Sequence, residues 1–285
     1  MGNRCHSESD PQSSRRALLS SVGAVSSVSI IGSVSGSVTD WMGDDGDGIP
    51  TRKKRSSSFH QQLESIYGPG QVESLEVGRP ELLIDVRYIG ATRIFPTTKQ
   101  LVVDRFREHG IHAQWLDYPQ RYNRRVLAET YGRSVEDMLL RSGSVYSNEI
   151  EEFLKNTALQ LFVVPGTSVD PDQRKRVYSR WLDRLGVGID GYVNGFSAGN
   201  RAVVANRHDR FEEARLVLHE LTHLVLPHDT DPENTGVMGT GDELDLLDAE
   251  WERLRANLAN VRDTTGYDFA LRPCLVREYL LRSLE

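Results

Sequence analysis

His219-Glu220-Leu221-Thr222-His223-Leu224-Val225-Leu226-Pro227-His228-Asp229 is the stretch from which the rest of the chain can be read. It closes a segment of helical periodicity that opens at Asp209. Aspartate at that place accepts the first free backbone N–H groups, so a helix is expected over 210–225. Residues four apart on a helix differ by about 40° around the axis and about 6 Å along it. His219 and His223 therefore project from one face and can hold one zinc ion (Zn²⁺). Glu220 stands beside the first ligand, where its carboxylate can take a proton from a water on that metal. Pro227 cannot continue the helix, and His228 and Asp229 follow it directly.

Working outward, Gly236-Val237-Met238-Gly239 precedes a last amphipathic helix expected over 242–258, with Leu244, Leu247, Trp251, Leu254 and Leu258 on one face. Upstream, residues 191–207 read as a glycine-containing loop or hairpin that ends in the strand Arg201 to Asn206. Residues 171–185 carry a helical stripe of Val177, Trp181 and Leu185. Ala158 to Val164 is a short apolar run before Pro165-Gly166, the pattern of a buried strand. Residues 123–157 read as broken helix. A capping-box pattern at Thr97 and Gln100 opens a helix with Leu101, Val102 and Phe106 inward, stopped by Gly110, and Ile111 to Leu116 returns as a strand. Glu81 to Ile89 alternates Leu82, Ile84, Val86 and Tyr88 against Leu83, Asp85 and Arg87, a strand signal. Strands and helices alternate along the chain, so the expected class is α/β, or α+β, with a mixed sheet.

The segment from His219 to Gly239 resembles the metzincin zinc peptidases, whose pattern is H-E-x-x-H, a further ligand and a turn carrying a methionine. The resemblance implies a twisted mixed sheet with an active-site helix, a Met-turn and a C-terminal helix over roughly residues 80–260. It implies zinc held by His219, His223 and His228, Glu220 as general base, and Met238 beneath the site. It also implies a protein or peptide substrate, held in extended form against an edge strand, expected here at Ala202 to Asn206. The chain departs from the pattern after His223, where the stretch is one residue short and the turn glycine is missing. Counting residues puts Asp229 at the third-ligand place. Matching the Leu226-Pro227-His228-Asp229 wording puts His228 there, which is the preferred assignment. The shortened stretch also motivates a second reading, a catalytically silent peptide- or surface-binding domain on the same fold.

Other residues give weaker signals. His109, His112 and His208 are scattered and read as surface or capping residues. Ser197 lies in Gly195-Phe196-Ser197-Ala198-Gly199, which has the G-x-S-x-G form. A nucleophile elbow needs a helix after the serine, and here a strand follows, so serine hydrolysis is set aside.

The N-terminal part reads differently. Ser14-Arg15-Arg16-Ala17-Leu18-Leu19 opens an uncharged run to Thr39, the form of a twin-arginine export leader. The expected organisation is a leader over 1–39, a flexible linker over 40–79, the catalytic domain over 80–262 and a C-terminal extension over 263–285. Within the linker, Asp44-Asp45-Gly46-Asp47-Gly48 is similar to a calcium loop, but it lacks the closing acid and is followed by Arg52-Lys53-Lys54-Arg55. An acidic and then basic solvated linker is the expected state. Two cysteines, Cys5 and Cys274, exclude a disulfide framework. With 34 Lys+Arg against 41 Asp+Glu and a net charge of -7, the chain is a poor nucleic-acid binder by bulk charge. A mean hydropathy of -0.45 excludes a polytopic membrane protein, and no stable membrane insertion is expected once the leader is removed. The expected location is extracellular or at the cell surface.

Overall fold

The structure is a computed structural model. It describes residues 45–123, 125–126, 150–165, 177–178, 192–193, 195–198, 201–223, 235–239 and 243–259. The expected leader over 1–39, Cys5, Cys274, His228, Asp229 and the C-terminal extension lie outside the described residues. Among the described residues no helix is long and apolar enough to cross a membrane.

Strands β1 (Glu81–Tyr88), β2 (His112–Asp117) and β3 (Ala158–Val164) form near their expected places. Two short strands, β4 (Val177–Tyr178) and β5 (Tyr192–Val193), pair antiparallel with each other. The main sheet is completed by β6 (Gly195–Ala198) and β7 (Arg201–Ala205), in the order β2-β1-β3-β7-β6. Its first four strands are parallel and β6 runs antiparallel to β7. The class is α/β with a mixed sheet, as expected.

β1 is buried at all eight positions because it is interior to the sheet and both faces are covered. On one face Leu82, Ile84, Val86 and Tyr88 pack with Val102, Phe106, Leu218, Leu221 and Trp251. On the other, Leu83 packs with Phe59, Leu63, Tyr67 and Phe162. Asp85 and Arg87 share that second face and form a fully buried ion pair at 2.8 Å, with the Arg87 guanidinium also 3.8 Å from the centre of the Tyr118 ring.

The second face is where the linker expectation fails. From Asp45 on, the segment is folded, with helices α1 (Thr51–Lys54) and α2 (Ser57–Tyr67). Ser56 caps α2 by accepting from Phe59 N, and Phe59, Leu63 and Tyr67, four residues apart, line its buried side. Ile49, Val72 and Leu75 join the same core. Each such side chain contributes about 1.5–3 kcal/mol by leaving water, which outweighs the polar character of the rest of the segment.

The calcium-loop likeness is answered by a cation from the chain itself. The Lys54 ammonium lies 2.5 Å from Asp45 Oδ2 and 2.6 Å from Asp47 Oδ2, with all three side chains buried. Lys54 also donates to Arg79 O at 2.8 Å, and Asp47 Oδ2 accepts from Glu81 N at 2.7 Å, which fastens the segment to the start of β1. Lys54→Ala leaves two buried carboxylates without this cation. It is expected to cost about 3–5 kcal/mol of stability in a urea titration. A loss below about 1 kcal/mol, the size of an exposed pair, would show that the cluster is not holding the segment.

Helix α3 (Pro96–Glu108) starts one residue before Thr97, with Pro96 at its first position. The expected cap at Thr97 is not made. Glu213 supplies one from another helix by accepting from Phe95 N at 2.8 Å. Gly110, at φ +75°, ends that helix as expected. Within 123–157 only a short helix, α4 (Glu152–Lys155), is described besides the ends. The helix expected over 171–185 is contradicted at 177–178, where the backbone pairs antiparallel with 192–193, and β-branched and aromatic residue types favour strands.

Candidate active site

Helix α5 (Arg210–Thr222) begins as the sequence dictates: the Asp209 carboxylate accepts from Phe211 N at 2.8 Å and Glu212 N at 3.0 Å. Val217, Leu218 and Leu221 bury one side of it against the sheet. This anchors the opposite end of the helix, where the motif sits, and His223 forms its C-terminal cap.

The two imidazoles converge. His219 Nε2 and His223 Nε2 are 3.0 Å apart, with the rings edge to face at 4.4 Å. His219 Nδ1 lies 2.8 Å from Val237 O. A carbonyl can only accept, so Nδ1 carries the proton and a neutral His219 turns the lone pair of Nε2 toward His223. Two nitrogens bound to one tetrahedral zinc at about 2.0–2.1 Å stand about 3.3 Å apart, so this pair fits such an ion with little movement. The hydrogen bond from the far nitrogen is the support that metal-binding histidines commonly have.

Val237 belongs to the turn expected to carry Met238. Both are fully buried, and Met238 packs in the same cluster as Val217, Leu218 and Leu221. The turn is held by Val237 N donating to Asp245 O at 2.8 Å. That pairing explains why the last helix, α6 (Asp248–Ala256), starts later than Asp242: residues 243–247 first pass along the turn. Trp251 and Leu254 face the core as expected, whereas Leu247 is 37% exposed at the cap. Asp245 Oδ1 accepts from Trp251 Nε1 at 2.8 Å, so the final helix is tied to the turn that orients His219.

Glu220 is 2% exposed and points to the β6 hairpin. Burial pushes its carboxyl up to about 8, against a hydrogen bond from Ser197 that pulls it down. The Ser197 hydroxyl lies 2.6 Å from Glu220 O and 2.8 Å from Glu220 Oε2. A β-carbon on Gly195 would lie 2.9 Å from Glu220 Cγ and Oε1 and 2.8 Å from Val203 O, so no larger residue fits there without displacing backbone.

Three sequence expectations meet the structure here. His219, Glu220 and His223 are brought together with the Met238 turn, while His228 and Asp229 lie outside the described residues. The edge strand is not Ala202 to Asn206: β7 lies inside the sheet between β3 and β6, and β6 is the outer strand among the described residues. Ser197 is on a hairpin and not an elbow, yet it touches the site through Glu220. Its G-x-S-x-G setting flagged the residue, but for a different chemistry. Of the scattered histidines, His109 stacks on Trp251 with centroids 4.2 Å apart, His112 lies between Glu81 and Glu73, and His208 is exposed.

No family model and no curated protein matches the chain. Among solved structures, archaemetzincin from Methanopyrus kandleri aligns with it at 16% identity and a TM-score of 0.36, covering 75% of this chain and 98% of that one.

Proposed function

We propose that the protein is a zinc-dependent endopeptidase. The observation that carries this is the convergence of His219 and His223 on one point, with the His219 tautomer fixed by Val237 O and a buried carboxyl at the adjacent residue. His219 and His223 would hold the ion, together with His228. Zinc supplies Lewis acidity toward a peptide carbonyl and toward water. Glu220 accepts a proton from water at its carboxylate and passes it to the amine nitrogen that leaves when the peptide bond breaks. β6 is the outermost strand of the main sheet among the described residues, so its free edge suits an extended peptide paired by strand addition.

Metal analysis of the dialysed protein is expected to find about one zinc per chain, the count for a single site. The zinc-loaded protein is expected to cut casein and to stop when a chelator is added. Zinc without hydrolysis would favour the silent binding domain. Absence of zinc, nickel and cobalt alike would sink the metal reading.

We further propose export through the twin-arginine-like leader, to the cell surface or the medium. Arg15→Lys with Arg16→Lys keeps the charge and removes the pair that an export receptor reads. Fractionation is expected to find the double variant retained in the cytoplasm. Export at the unsubstituted rate would refute the assignment.

A further inference from the structure

We infer that Ser197 is a positioning residue for Glu220, holding its carboxyl in a socket built from one face of the β6 hairpin. Two independent observations carry this. The hydroxyl reaches both the backbone oxygen and Oε2 of Glu220, at 2.6 and 2.8 Å. Two residues earlier, Gly195 leaves only enough room for Glu220 Cγ and Oε1 to lie against the strand. Residues two apart on a strand share a face, so Gly195 supplies the space and Ser197 the donor on the same side of β6.

The bond to Glu220 O alone would serve only the helix. That carbonyl belongs to the last turn of α5, where carbonyls depend on partners from outside the helix. The contact with Oε2 has a different consequence, and with its single hydrogen the hydroxyl makes it either by donating to the carboxylate or by donating to Glu220 O and accepting from the protonated carboxyl. A glutamate side chain turns about three bonds, and a buried carboxyl with a donor from a rigid strand loses that freedom before substrate arrives. β6 is fixed in turn by its register with β7, Ser197 opposite Ala202, and Ala202 is fully buried in the cluster that contains Leu218 and Leu221 of α5. The strand that offers its edge to a peptide is thus also the strand that places the base. Docking and proton transfer would share one element. The kinetic part of this inference rests on the peptidase reading; the structural part does not.

The test uses the full chain with Ser197→Ala and Ser197→Thr, the second keeping the hydroxyl. Crystal structures of the unsubstituted and Ser197→Ala proteins are expected to show the Glu220 carboxyl leaving its place against Gly195 when the hydroxyl is lost. In steady-state cleavage of an internally quenched peptide by zinc-loaded protein, Ser197→Ala is expected to lower kcat by about 10- to 100-fold with KM and zinc content held. Ser197→Thr is expected to recover most of kcat. A carboxyl that stays in place in Ser197→Ala overturns the inference, as does an unchanged kcat. A loss of kcat, KM and zinc together that threonine does not rescue also overturns it, because the role would then be structural. If the unsubstituted protein cuts no peptide, the peptidase reading fails and the two crystal structures alone decide the placement of Glu220.

Discussion

Glu220→Gln is expected to keep zinc content and fold while lowering hydrolysis by about 10²-fold or more, the contribution of a positioned general base. The substitution suits this site. Glutamine has the same length, so it occupies the space beside Gly195 without the displacement a larger side chain would force. Its amide oxygen can accept the Ser197 hydroxyl in place of Oε2, so the link between β6 and α5 persists. The amide has no basicity, and only proton acceptance is removed. Burial already pushes the Glu220 carboxyl toward its neutral form, and a neutral amide suits the same buried place, so stability is expected to hold. Metal analysis, thermal melting and peptide cleavage on the same preparation check all three parts. Activity equal to that of the unsubstituted protein would mean that Glu220 is not the proton acceptor.

The sheet and the motif helix were legible because their signals are local. β3 coincides with the apolar run 158–164, and α5 starts at the Asp209 cap the sequence announces. β1 was legible from its alternation, although the alternation says nothing of the buried pairing of Asp85 with Arg87. The second layer was not read, for a physical reason. Residues 45–79 look like a solvated linker because their charges are counted singly, whereas Lys54 is paired with both Asp45 and Asp47 inside the fold. A signal was present even so, in Ser56 followed by Phe59, Leu63 and Tyr67 at helical spacing.

Spatial order was the other gap. Chain order placed the strand expected over 201–206 next to the motif helix, and the loop-or-hairpin reading of 191–207 did not show that β6 lies outside it. For the same reason the Ser197–Glu220 contact, 23 residues apart in the chain, had no local signal. The start of α6 was misread because Leu244 and Leu247 continue the helical stripe, while the backbone at 243–245 is engaged by Thr235 and Val237.

His228→Ala is expected to lose zinc more severely than Asp229→Ala. His219 and His223 supply two neutral nitrogens, with His219 braced by Val237 O. A third imidazole from His228 would complete a three-histidine set with a fourth position open for chemistry, and neutral imidazole suits zinc. The turn that braces His219 is itself held by Asp245 O through Val237 N, so the support for the first ligand does not depend on Asp229. Asp229 would then orient a ligand or accept nearby backbone N–H bonds. Losing a residue of that kind costs about 10–100-fold in metal affinity. Competition with a chromophoric chelator measures both variants on one scale, beside His219→Ala as the reference for a lost ligand. His228→Ala is expected to match His219→Ala, with Asp229→Ala between it and the unsubstituted protein. If Asp229→Ala empties the site while His228→Ala keeps zinc and cleavage, the residue count from His219 is the right guide. The ligand set then becomes two imidazoles and a carboxylate, whose negative charge on the ion would weaken its pull on a peptide carbonyl.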